Sequence, residues 1–148
     1  MSKMADEAVS YIERSPCALL ITVGEENKPF VRYIGPFVNN GLSLYFMTRV
    51  ISEKVRHIET NPFVMLHFQN ANQTREDPRS VAVTGKAARV PDGDEFNDVV
   101  GKLARKSPGF KKYISSDGFK TWTVYKVTPE SLQCTDLSKS FQTLKEAV

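Results

Sequence analysis

Cysteine is scarce in this chain of 148 residues: only Cys17 and Cys134 occur, far apart and with no CxxC spacing. Two cysteines cannot build a disulfide framework, and neither has a histidine at metal-ligand spacing, so zinc, iron–sulfur and haem-attachment motifs are absent. Histidine is limited to His57 and His67 and tryptophan to Trp122. Long apolar runs are missing too, and no window reaches the roughly 20 residues of a spanning helix. The N-terminal stretch MSKMADEAVSYIERS carries Asp6, Glu7 and Glu13 where a secretory signal needs an unbroken apolar core. These absences predict a protein with no membrane association, in a reducing, cytoplasmic setting. Charge of one sign is also lacking: 20 basic against 17 acidic side chains leave +3, which suits an anionic small ligand as readily as nucleic acid. There is no internal repeat, low-complexity tract or linker.

What is present is an ordinary globular composition, 41% apolar and 25% charged, so a single domain over residues 1–148 is expected. Met4, Ala5, Ala8, Val9 and Ile12 recur at helical spacing after Ser2, and Pro16 ends the pattern. Strands are predicted over 17–23, 29–37 and 42–48, joined by turns at 24–28 and at Asn39-Asn40-Gly41, as a β-meander. A short helix over 52–59 ends at Asn61-Pro62, and a strand follows over 63–69. A polar loop over 70–79 leads to a long strand over 80–90 interrupted by Gly85. Asp92 and Glu95 have capping-box spacing ahead of an apolar stripe at Phe96, Val99, Val100 and Leu103. The basic, Gly/Pro-punctuated stretch 105–118 holds at most a helical turn near Phe110. Two last strands, 121–127 and 132–136, are separated by a turn at 128–131, and the tail from Leu137 has no evident partner. About six or seven strands, three helices and no βαβ alternation predict a mainly β fold with flanking helices, an antiparallel barrel or strongly curled sheet.

The most informative stretch is PFVRYIGPFVNNGLSLYFMTRVISEKVRHIETNPFVMLHF, residues 29 to 68. It sets Arg32 on one strand, Thr48 at the end of another, and Ser52 and Lys54 at the start of a short helix. A helix N-terminus presents unpaired N–H groups and partial positive charge, so hydroxyls and cations gathered there suit a phosphate. The plainer alternative makes Ser52 an N-cap, Lys54 a solvated helix residue and Arg32 an outward strand position. The physics alone leaves both open.

The same stretch resembles the FMN-binding split-barrel family related to pyridoxamine 5′-phosphate oxidase. The resemblance rests on Arg32, on Asn40-Gly41, on Leu44-Tyr45-Phe46-Met47-Thr48, on Ser52-Glu53-Lys54 and on the strand Asn61-Pro62-Phe63-Val64-Met65-Leu66-His67-Phe68. It continues more loosely through residues 80–87 and 122–129. It implies an antiparallel split β-barrel of about six strands that binds FMN, with Arg32, Ser52 and Lys54 holding the phosphate. Tyr33 and Ile34 would lie along the flavin, Met47 and Thr48 would border the ring or ribityl chain, and Trp122 would be contributed from a partner chain. The family's habit implies a homodimer with flavin at the subunit interface, acting as a flavin-dependent oxidoreductase on a small-molecule substrate or redox partner. The chain departs from a true pyridoxamine-phosphate oxidase, since residues 132–148 contain no arginine to grip a substrate phosphate. It looks more like the short general-stress-protein and nitroimidazole-resistance relatives. A non-catalytic flavin sensor or store, and a deazaflavin or haem in place of FMN, are the alternatives within the fold.

Other residues carry weaker signals. His57 beside Arg56 and His67 among apolar strand residues read as structural or exposed histidines. Cys17 reads as a buried apolar residue. Lys102, Arg105, Lys106, Lys111 and Lys112, with Phe110 and Tyr113 interleaved, have the composition of a single-strand nucleic-acid binder, but a solvated helix end is the commoner origin of such a cluster. A rim that attracts an anionic substrate is the third reading.

Overall fold

The computed structural model describes residues 2–69, 79–110, 121–136 and 142–148. Helix α1 (Lys3–Arg14) begins where Ser2 Oγ accepts a hydrogen bond from the Ala5 amide at 3.0 Å. Its buried face, Ala5, Ala8, Tyr11 and Ile12, follows the predicted helical period, and the two alanines let it lie close on the sheet. The strands are β1 (Ala18–Val23), β2 (Pro29–Ile34), β3 (Phe37–Asn40), β4 (Ser43–Arg49), β5 (Phe63–Phe68), β6 (Arg79–Arg89), β7 (Trp122–Asp136) and β8 (Gln142–Ala147). Helix α2 (Glu53–Thr60) joins β4 to β5, and α3 (Asp94–Lys106) follows β6.

The described strands pair antiparallel in the order β2-β1-β5-β6-β7-β4-β3, with β8 added to the second half of β7. The expected meander is therefore corrected. The single strand expected over 29–37 is broken at Gly35-Pro36 into β2 and β3, and although the hairpins β1–β2 and β3–β4 form, β2 and β3 stand at opposite ends of the sheet. Only Gly35 and Pro36 connect them, so Ile34 and Phe37 lie within about 11 Å, the reach of three extended residues. A sheet whose two edges are tied this closely must curl into a barrel, and since β2 and β3 share no ladder the barrel is split. This is the antiparallel barrel with flanking helices that the sequence pattern predicts, with the split that the family resemblance implies.

The barrel interior is apolar: Leu20, Phe37, Leu44, Phe46, Leu66, Phe68, Val83, Val127 and Leu132 are all almost wholly buried. Each such side chain contributes roughly 1.5–3 kcal/mol relative to exposure. A second cluster lies outside the β4–β7 pair, where Phe96, Val99 and Leu103 of α3 cover Tyr45 and Val124. Strand β4 is thus buried on both faces. Lys106, at the end of α3, donates to the Phe37 carbonyl at 2.7 Å with its ammonium 4.0 Å from the Phe37 ring centre.

Three further expectations are corrected. The two strands predicted over 121–127 and 132–136 are one strand, β7, that runs through Pro129. Its register against β6 shifts between Thr84 and Gly85, so that Gly85 faces Pro129 and Thr84 faces Ser131, and the proline sits at a bulge where its missing N–H breaks no ladder bond. The capping box does not form: the α3 N-cap is Gly93, at φ 153°, and Glu95 instead accepts from the Tyr45 hydroxyl at 2.7 Å. The tail assigned no partner supplies β8. Of the loop predicted over 70–79, residues 70–78 lie outside the described residues, as does the stretch 111–120, and Arg79 already belongs to β6.

Gly85 is required at the bulge because a Cβ there would meet the Thr128 carbonyl oxygen. Gly85→Ala should therefore cost about 1–3 kcal/mol, read as a lower urea midpoint at unchanged m-value.

Candidate functional site

The split in the barrel is where β2 ends, β4 ends and α2 begins. A cleft of about 250 Å³ opens there, lined by Tyr33, Ile34, Met47, Thr48, Ser52, Lys54 and Trp122 together with Gly35 and Arg49. Seven of the eight site residues expected from sequence thus meet in one place. Gly35 and Arg49 were missed, although both sit next to expected ones in the chain. Trp122 reaches the cleft from the same chain, because β7 pairs with β4 and sets Trp122 opposite Arg49.

Ser52 occupies the N-cap position of α2 but makes no side-chain capping bond. Its Oγ shares a 3.1 Å hydrogen bond with Oγ1 of the buried Thr48 instead. The N-terminal end of α2 therefore faces the cleft without a side-chain cap, together with two hydroxyls. Burial pushes the Lys54 ammonium below its ordinary pKa, and the nearby Arg32 charge pushes it further in the same direction. Two cations held close and partly dehydrated form a site that an anion relieves.

Arg32 is the eighth expected residue and does not line the cleft. Its Nη1 donates to Thr22 Oγ1 at 2.6 Å and to the carbonyls of Phe30 and Leu20 at 3.2 and 3.4 Å. Its Nη2 lies 3.7 Å from Glu53 at the first turn of α2. Burial lowers its pKa, with Glu53 opposing. Arg32 is thus held beside the cleft, between β1 and α2, rather than in it.

Trp122 stacks edge-on with Phe110, and the Arg49 guanidinium sits 5.1 Å from its ring centre. Its Nε1 is buried and has no acceptor among the described residues. An unpaired buried donor costs about 1–3 kcal/mol.

The histidines differ from one another. His57 is almost fully buried on α2, its Nδ1 2.8 Å from Thr22 Oγ1, which corrects the reading of an exposed residue but agrees with a hydrogen-bonded structural one. His67 lies on the outer face of the sheet, flanked by Leu19 and Ala82, with a buried Nδ1 that has no partner among the described residues. The basic cluster disperses over what is described of it: Lys102 pairs with Asp98 at 3.0 Å, Lys106 is spent on the Phe37 carbonyl, and Phe110 is buried. Lys111, Lys112 and Tyr113 lie outside the described residues. Both cysteines are free, and no group of three metal-ligating side chains occurs among the described residues. No helix among them is long and apolar enough to cross a membrane.

Residues 4–135 match the family described as pyridoxamine 5′-phosphate oxidase. The chain belongs to that family. No curated protein matches it in sequence. Among solved structures it is similar to a protein from Clostridium acetobutylicum related to general stress protein 26 of Bacillus subtilis, at 17% identity and TM-score 0.75, covering 99% of this chain and 95% of that one. It is also similar to a NimC/NimA family protein from the same organism, at 19% identity and TM-score 0.68, covering 97% and 94%. A haem-binding protein from Mycobacterium smegmatis aligns at 16% identity and TM-score 0.82, over 99% of this chain, which spans only 59% of that protein. At these identities the likeness is one of fold. The pyridoxamine-phosphate-oxidase-like split barrel is thus common to stress-protein, NimC/NimA and haem-binding relatives.

Burial pushes the His67 imidazole below its ordinary value of 6.5. The unfolded chain then binds a proton that the folded chain refuses, so stability is full above about pH 6.5 and falls as the pH drops through it. Urea unfolding at pH 7.5 and 5.5 should show this loss in the native protein and a smaller one in His67→Gln.

Proposed function

We propose that this protein binds FMN in the cleft at the barrel split and acts as a flavin-dependent oxidoreductase on a small-molecule substrate. The observation that carries the reading is the convergence of Thr48, Ser52 and Lys54 at the uncapped start of α2, in a cleft that Trp122 also lines. This donor set fits a flavin mononucleotide: Lys54, Ser52 and Thr48 would hold its phosphate, with Arg32 alongside, and Trp122 would border the ligand. Ile34, Met47 and Tyr33 offer apolar surface for a flat ring. When bound, FMN supplies hydride or electron transfer. The chain's own work is then to anchor, orient and shield it.

A second copy of the chain completes the site in this reading. At about 250 Å³ the cleft is smaller than the roughly 300–1,000 Å³ of sites that enclose a small ligand, so one protomer covers part of FMN. Beside it the outer face of the sheet is apolar and open, with Tyr33 73% and Val31 61% exposed next to the half-buried Leu19, Ile21 and Met65. This supports a homodimer with flavin between subunits. The two free cysteines are in keeping with a cytoplasmic setting. Native protein should sediment as a dimer and Val31→Asp as a monomer, whereas a monomeric native protein with FMN bound would remove the partner from the site.

Lys54→Ala should weaken FMN about 10- to 150-fold, from the roughly 1.5–3 kcal/mol of a charged hydrogen bond, and riboflavin much less. Fluorescence titration of both flavins checks this, and equal losses would take Lys54 out of the phosphate site. A second reading, haem in place of flavin, draws on His67, which lies on the apolar outer face of the sheet, and on the fold shared with the Mycobacterium smegmatis protein. Haemin retained in place of FMN, with a Soret band lost in His67→Ala, would favour it.

A further inference from the structure

We infer that Thr22 and His57 are positioning residues that hold Arg32 ready for the anionic group of the ligand, a role that rests on the phosphate reading of the cleft. An arginine only donates, so Thr22 Oγ1 accepts the 2.6 Å bond from Arg32 Nη1. Thr22 Oγ1 also shares a 2.8 Å hydrogen bond with His57 Nδ1, and whichever of the two carries the proton, the bond fixes the hydroxyl against the ring. Thr22 is wholly buried and His57 nearly so, so the chain of bonds is sheltered from competing water. The ring is fixed on its other edge as well. Phe30 packs against it with centroids 4.6 Å apart, and a Cβ on Gly24 would lie 2.7 Å from Nε2.

The consequence falls on the guanidinium. With Nη1 tied inward to Thr22 and to two carbonyls, the fork cannot swing, and Nη2 stays at the first turn of α2 with Glu53 at 3.7 Å. Glu53 is half-exposed and its contact is long, so it is a carboxylate that an incoming phosphate displaces at little cost. His57 stands one helical turn beyond Glu53 on α2, so the relay fixes the same helix whose start meets the anion. Arg32 thus enters the encounter with its rotamer already chosen, and the ligand is spared the cost of ordering it.

The test compares FMN with riboflavin on the full chain, since only FMN carries the phosphate. Freeing one rotamer-rich side chain costs about 2- to 12-fold in affinity, so Thr22→Val and His57→Gln should lower the ratio of FMN to riboflavin affinity by that factor. Thr22→Ser keeps the hydroxyl, and His57→Asn places an amide able to donate or accept where Nδ1 stands, so both should retain the native ratio. A merely structural role would weaken both flavins alike and leave the ratio unmoved. If Lys54→Ala lowers the ratio while Thr22→Val and His57→Gln do not, the relay is wrong and the phosphate site stands. If none of the three moves it, the phosphate reading fails and the relay with it. Should Thr22→Val not fold, the His57→Gln and His57→Asn pair decides alone.

Discussion

The whole arrangement depends on a two-residue connection. Gly35 and Pro36 tie β2 to β3, although these strands occupy opposite ends of the sheet. That tether is too short for a flat sheet and too short for a crossover, so curling is enforced by chain length before any side chain packs. Hydrophobic burial then fills the inside of the curl, with Leu20, Leu66 and Val83 from one half meeting Phe46, Phe68 and Val127. The closure has a seam because β2 and β3 share no hydrogen-bonded ladder, and the cleft opens beside it, where Ile34 and Gly35 face Met47 and Thr48.

The chemistry at the seam follows from what the packing leaves unpaired. A serine at an N-cap ordinarily spends its hydroxyl on its own helix, yet Ser52 turns to Thr48. A buried indole ordinarily finds an acceptor, yet Trp122 has none among the described residues. Lysine and arginine ordinarily separate, yet Lys54 feels both burial and Arg32. Each of these is a small local cost, the three side chains line one cleft, and burial elsewhere offsets them.

Much of this was legible in the sequence because it is local. The α1 period and its Ser2 cap, the β1–β2 hairpin and the Asn40-Gly41 turn into β4 rest on neighbouring residues, and all appear. The cleft residues were legible through a stretch of forty residues whose order of strand, turn, strand and helix brings Tyr33, Met47 and Lys54 together. What sequence reading missed is non-local. Nothing near Pro129 announces that Gly85, far back in the chain, lets the strand pass through it. Nothing near Leu137 announces β8, whose partner is a strand already paired on its other side. Arg32 was read as a free cation because its acceptor, Thr22, belongs to a neighbouring strand and looks like any other strand threonine. His57 hides for the same reason.

An open-edged sheet carries a hazard that closed barrels avoid, since a free row of donors and acceptors can template another chain. The contact between α3 and β3 bears on this. Strand β3 has only four residues, and the Phe37 carbonyl on it is already occupied by the Lys106 ammonium, which also lies over the Phe37 ring. A short edge with a cation fixed on it is a poor surface for strand addition. The lysine that fastens a helix to the barrel therefore also discourages aggregation, so the barrel keeps its seam without offering this edge to another strand.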